Sequence, residues 1–79
     1  MKVLILTNKS DGRFITMLDG NKDIRSEFQR FLDKFSNKLD EIYDLDLHEL
    51  CDFHCDDTTI TLWGDNGMLE INIEEFSNF

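Results

Sequence analysis

Val3-Leu4-Ile5-Leu6-Thr7 is an unbroken run of strand-favouring residues, and a second run, Arg13 to Leu18, follows the polar segment Asn8-Lys9-Ser10-Asp11-Gly12. Two such runs around a turn segment predict a β-hairpin. Antiparallel closure across five loop residues sets Leu6 near Phe14 and Leu4 near Thr16 on one face. Val3 and Ile5 then meet Met17 and Ile15 on the other. Both faces are partly apolar, which suits an interior place in a sheet or an apolar face reserved for another chain.

From Lys22 to about Ile42 the pattern changes period. Ile24, Phe28, Phe31, Leu32, Phe35, Leu39 and Ile42 recur at spacings of three and four, which predicts an amphipathic helix with one apolar stripe. Asp19-Gly20-Asn21 supplies turn and capping chemistry before it. Arg25, Arg30, Lys34 and Lys38 occupy much of the polar side, with Glu27 placed to reach Arg30. Such exposed pairs contribute only about 0.2–0.5 kcal/mol, so burial of the Phe/Leu stripe decides the helix.

Beyond it, Tyr43 to Leu50 alternates briefly, and Cys51, Phe53 and Cys55 share a side if extended. A strand over 50–55 is expected, although Leu47, Leu50 and Cys51 also fit a short helix across 46–52. Thr58–Trp63 and Met68–Ile73 read as strands around Gly64-Asp65-Asn66-Gly67, where Asn66-Gly67 offers backbone tolerance. Pairing Trp63 with Met68 sets Leu62 opposite Leu69 and Ile60 opposite Ile71. One face is then apolar, and Thr59, Thr61, Glu70 and Asn72 lie on the other. Glu74 to Phe79 reads as a short tail or turn, pinned to the core by Phe76. The elements add up to an α+β domain in the order ββαβββ. Its mixed or antiparallel sheet of four to five strands is covered on one face by one long amphipathic helix.

Composition limits what such a domain can do. Seventy-nine residues make a single compact domain over 1–79, and at this size roughly 60–65% of the extended-chain surface is buried. That leaves little room for a deep active site. Seven Phe, one Trp and one Tyr mark a folding chain and not a disordered acidic tail. Met1 to Leu6 is too short for a signal peptide or a membrane span, and two cysteines are too few for a disulfide scaffold. The expected location is cytoplasmic, with no membrane partner.

Charge changes the picture most. The formal total is −9, with all eight Lys and Arg in residues 1–38 against five acids (+3). Residues 39–79 hold twelve acids and no Lys or Arg (−12). A direct nucleic-acid binder needs a basic footprint, so that class is set aside.

Several chemical constellations invite an enzymatic reading and weaken on inspection. His48, Cys51, His54 and Cys55 have the donor types of a zinc site. Yet Cys51 and Cys55 stand roughly 13 Å apart on a regular strand, too far to share one metal. Adjacent His54 and Cys55 point to opposite sides of a strand, which is a poor thiol–imidazole pair. Asp44-x-Asp46-x-His48 lacks the glycine and terminal glutamate of a calcium loop. Gly12, Gly20, Gly64 and Gly67 are accounted for by turns. No catalytic residue, metal or cofactor is therefore expected.

The acidic field is the feature that carries a functional expectation. Asp40, Glu41, Asp44, Asp46, Glu49, Asp52, Asp56, Asp57, Asp65, Glu70, Glu74 and Glu75, with Trp63 as apolar anchor, form the expected partner-binding set. Carboxylates can occupy phosphate-like positions and accept hydrogen bonds from Arg and Lys. The reading is a small acidic inhibitor or adaptor that occupies the basic, nucleic-acid-binding site of a partner protein. The alternative is a homo-oligomeric structural or regulatory module, such as a homodimer, joined through the first hairpin or the Phe-rich helix stripe. A zinc-binding or thiol enzyme is the weakest of the three.

Overall fold

Strand formation follows the alternation of the sequence. In the computed structural model, which describes residues 2–47 and 52–77, β1 (Lys2–Asn8), β2 (Phe14–Asp19), β3 (Asp52–Cys55), β4 (Thr59–Gly64) and β5 (Gly67–Ser77) build one sheet. Its order is β2-β1-β5-β4-β3, with every neighbour antiparallel. The helix α1 (Ile24–Tyr43) enters between β2 and β3 in sequence. This is the ββαβββ α+β domain with a five-stranded sheet and one long helix. β1 is interior in the sheet, paired with β2 on one side and β5 on the other.

α1 starts because Asp23 caps it. The Asp23 backbone is extended, and its carboxylate accepts the Ser26 amide at 3.1 Å, satisfying one of the free N–H groups of the first turn. The cap is therefore Asp23 and not the Asp19–Asn21 turn before it. Glu27 meets Arg30 at 3.3 Å, as its spacing predicts. The helix ends at Asp44, whose left-handed backbone (φ 51°) lets its N–H reach the Asp40 carbonyl.

The stripe of α1 lies on one sheet face. Phe28, Leu32 and Leu39 are buried there against Leu4, Leu6, Leu18, Ile60, Leu62, Leu69 and Ile71. Phe28 also meets the Phe53 ring edge-on at 5.0 Å between centroids. Each fully buried large side chain contributes about 2–3 kcal/mol, far more than any exposed ion pair here.

The β4–β5 register is the one expected, with Trp63 opposite Met68, Leu62 opposite Leu69 and Ile60 opposite Ile71. Three other features depart from expectation. The first hairpin pairs Leu4 with Leu18, Ile5 with Met17 and Leu6 with Thr16, two residues away from the simple closure. A bulge near Leu6/Thr7 absorbs the irregularity, and Leu18 takes the core position while Phe14 stays outside. Because side chains repeat every two residues, the shift leaves Leu4 and Leu6 on the core face.

The second departure is Glu74 to Ser77, which is no tail. β5 runs on to pair with β1, with Val3 opposite Phe76, so Phe76 lies exposed on the sheet and does not pin the core. The third is the β4–β5 turn. Its central residues are Asp65 and Asn66, and neither they nor Gly67 adopts positive φ. The Asp65 and Asn66 amides instead donate to the Asp46 and Leu45 carbonyls, and Asn66 Nδ2 donates to the Asp44 carbonyl at 3.0 Å. This docks the hairpin tip onto the segment after α1. The expected strand at 50–55 is seen as Asp52–Cys55; Leu50, Cys51 and the centre of the alternative 46–52 helix lie outside the described residues.

Candidate partner-binding face

Paired residues share a sheet face, so the register defines what the uncovered side presents. One end carries Val3 and Ile5 of β1, Met17 of β2 and Phe76 of β5. A polar band follows, with Thr7, Asn72 and Thr59 in one row and Glu70, Thr61 and His54 in the next. At the hairpin end Met68, Trp63 and Asp52 stand side by side across three strands. Trp63 and Met68 are 45% and 55% exposed, large apolar side chains in an otherwise polar and acidic surround.

Glu70 and Glu74 both belong to this face and stand about 13 Å apart along β5; Glu70 and Asp52 lie two strands and two residues apart, about 12 Å on the diagonal. Glu70 receives the Lys9 ammonium at 3.4 Å, an exposed contact that leaves the carboxylate accessible. Trp63 projects between these carboxylates at the end of the sheet.

The docked turn places a second group of acids beside that end. Asp40, Glu41, Asp44 and Asp46 line one shallow depression together with Asn37 and Asn66. Asp40 accepts the Leu47 amide at 3.2 Å, which ties the helix end to the following segment. No basic residue stands in the last turn of α1, so these acids sit at the negative end of the helix dipole. Among the described residues, no three His, Cys, Asp or Glu side chains converge to hold a metal ion.

The remaining expected residues are elsewhere. Asp56 and Asp57 sit at the β3–β4 turn, where Asp56 lies 3.6 Å from the His54 imidazole. Glu75 belongs to the helix-side face and pairs with Lys2 at 3.1 Å. Asp65 is at the hairpin tip, and Glu49 lies outside the described residues. The eleven described acids thus divide among the uncovered face, the helix end and two separate margins.

Two of the four cysteine and histidine positions, His54 and Cys55, are among the described residues. His54 and Cys55 alternate across β3, with His54 exposed and Cys55 packed against the core. Burial pushes the Cys55 thiol above its ordinary pKa, assisted by Asp23, Asp56 and Asp57 and opposed by Arg25. His48 and Cys51 lie outside the described residues.

Met68 is a member of the exposed row that sequence reasoning passed over. Its signal was present in the Trp63–Met68 pairing, which puts both residues on the polar side of the hairpin. Among the described residues, no helix is long and apolar enough to cross a membrane. No protein family, curated protein or solved structure matches the chain.

Proposed function

We propose that this protein is a small acidic binding module that occupies the basic site of a partner protein, one that ordinarily receives nucleic acid. It acts by occupancy and needs no turnover. The observation that carries this reading is the Asp52–Trp63–Met68 row, with Glu70 beside it and the Asp44–Asp46 segment docked at the same end. An exposed aromatic ringed by carboxylates suits a surface of Arg and Lys: the ring supplies contact area and cation–π attraction, and the acids supply charge-assisted hydrogen bonds. The exposed cations of α1, Arg25, Arg30, Lys34 and Lys38, belong to the helix that covers the opposite sheet face, and the Lys9 ammonium at this face is already paired with Glu70. A basic partner approaching the uncovered face therefore meets little repulsion.

The test is capture of partners from native cell extract at low salt, with elution along a salt gradient. A basic nucleic-acid-binding protein, released as salt rises and displaced by nucleic acid, is the expected result. Binding that survives simultaneous charge reversal of Asp44, Asp46, Asp56, Asp57 and Glu70 would falsify the reading.

A further inference from the structure

Asn66 stands immediately before Gly67 at the tip of the β4–β5 hairpin, and of the asparagines in the chain it alone precedes a glycine. At such a step asparagine is chemically weakest, because the following residue has no side chain to shield its backbone nitrogen from the neighbouring amide. Both residues are exposed. The space around the second is open as well: a Cβ placed on Gly67 would meet nothing within 4 Å.

We propose that Asn66 is a site of spontaneous deamidation, that docking of the hairpin tip holds the reaction back, and that the product does not dock again. The Gly67 nitrogen attacks the Asn66 Cγ, the bond from Cγ to Nδ2 breaks, and Nδ2 leaves as ammonia with the proton of the Gly67 N–H. Water then opens the cyclic succinimide at either carbonyl, giving aspartate or isoaspartate. The net exchange is water for ammonia, with no change of oxidation state.

The folded tip resists the first step at both reacting nitrogens. Asn66 Nδ2, the leaving group, donates to the Asp44 carbonyl at 3.0 Å, and the Asn66 amide donates to the Leu45 carbonyl at 3.0 Å. Gly67, which supplies the nucleophile, is held in the ladder by its pairing with Gly64. Ring closure needs the Asn66 side chain to leave Asp44 and swing toward its own main chain, so it proceeds from molecules whose tip has lifted. The rate of deamidation follows that opening.

The product differs from Asn66 at the atoms that dock. A carboxylate has no N–H to give the Asp44 carbonyl, and its charge falls in the depression that Asp40, Glu41, Asp44 and Asp46 already line with Asn66. Lost donor and like charge act in the same direction. Isoaspartate also adds a carbon to the main chain of the short connection between Gly64 and Gly67, where the turn fixes the register of the strands. The lifted tip becomes the stable form, a one-way change in the segment beside the Trp63 row.

This chemistry is independent of the partner-binding reading. The experiment is incubation of the full chain in mildly alkaline buffer, folded and in urea, with deamidation located by peptide mass spectrometry. Product is expected at Asn66 ahead of the other asparagines, and about tenfold faster in urea than in the folded chain, whose tip is closed most of the time. Gly67→Ala, with its methyl in open space, should fold and should suppress the reaction in urea. Asn66→Asp reproduces the aspartate product. In it, hydrogen exchange of the Asp65 amide, which donates to the Asp46 carbonyl, should speed up by about tenfold while Ile60 and Ile71 of the core stay protected. Equal rates with and without urea, product at another asparagine first, undiminished reaction in Gly67→Ala, or an Asp65 amide as protected in Asn66→Asp as in the parent chain each overturns the inference.

Discussion

At the residue scale, Gly64 is the glycine with the least room for a side chain. A Cβ there would run into the Leu45 carbonyl carbon at 2.7 Å and still closer to its oxygen, and backbone cannot move aside as a flexible side chain can. Gly64→Ala should therefore destabilise the fold by roughly 2–3 kcal/mol in denaturant unfolding, whereas Gly67→Ala, with open space around the added methyl, should cost far less. Turn chemistry alone leaves these two glycines indistinguishable; the docked Leu45 segment separates them. Cys55 offers a second residue-level test. Burial favours its neutral thiol, so the associated stability is intact below the ordinary thiol pKa and is lost as pH rises through the raised folded value. In a Cys51→Ser background, alkylation of Cys55 near pH 8 should be slower in the folded chain than in the chain unfolded by urea.

At the scale of elements, α1 is governed by its two ends and one stripe. The start carries a favourable device, and Asp23→Ala should lower stability by about 1 kcal/mol through loss of the Ser26 amide's partner. The end carries two unfavourable features, a non-glycine residue in the left-handed region and acids at the negative end of the dipole. Asp44→Gly relieves both at one position and should raise stability by roughly 0.5–1 kcal/mol, read as a higher melting temperature. The span and stripe of α1 were legible in the three-four spacing, since a helix needs only local geometry to repeat. The hairpin register was not, because it depended on which of Phe14 and Leu18 would reach the core beneath a helix several residues further along. The β4–β5 pair was legible because a two-residue connection leaves one register that keeps Ile60, Leu62, Leu69 and Ile71 on the same side.

At the scale of the whole molecule, the charge division along the chain becomes a division in space only in part. Within α1 the four cations are matched by Glu27, Asp33, Asp40 and Glu41, so the helix as a unit is neutral, with two of its four acids near the end. At the hairpin end the docked turn joins the Asp44–Asp46 segment to the Trp63 row. Trp63→Ala should weaken partner binding by more than tenfold with little change in stability, since a half-exposed aromatic anchor contributes more to an interface than to the core. Partner affinity should also fall steeply with salt, as expected when carboxylates on the surface supply much of the attraction.

The amino-acid sequence by itself determined the elements, their order and the apolar side of each, because helical and strand periodicities are local and burial selects one face. It also determined that residues 39–79 would carry twelve acids and no Lys or Arg. The tertiary structure decided which carboxylates are neighbours, since strands distant in sequence pair side by side and a turn docks onto the helix end through three hydrogen bonds to carbonyls. It decided too that Phe76 and Met68 stand exposed beside polar groups and that Phe14, Phe35 and Ile42 border one groove. Those outcomes depend on long-range register and on how far one helix can cover a five-stranded sheet, and neither is written in any local pattern.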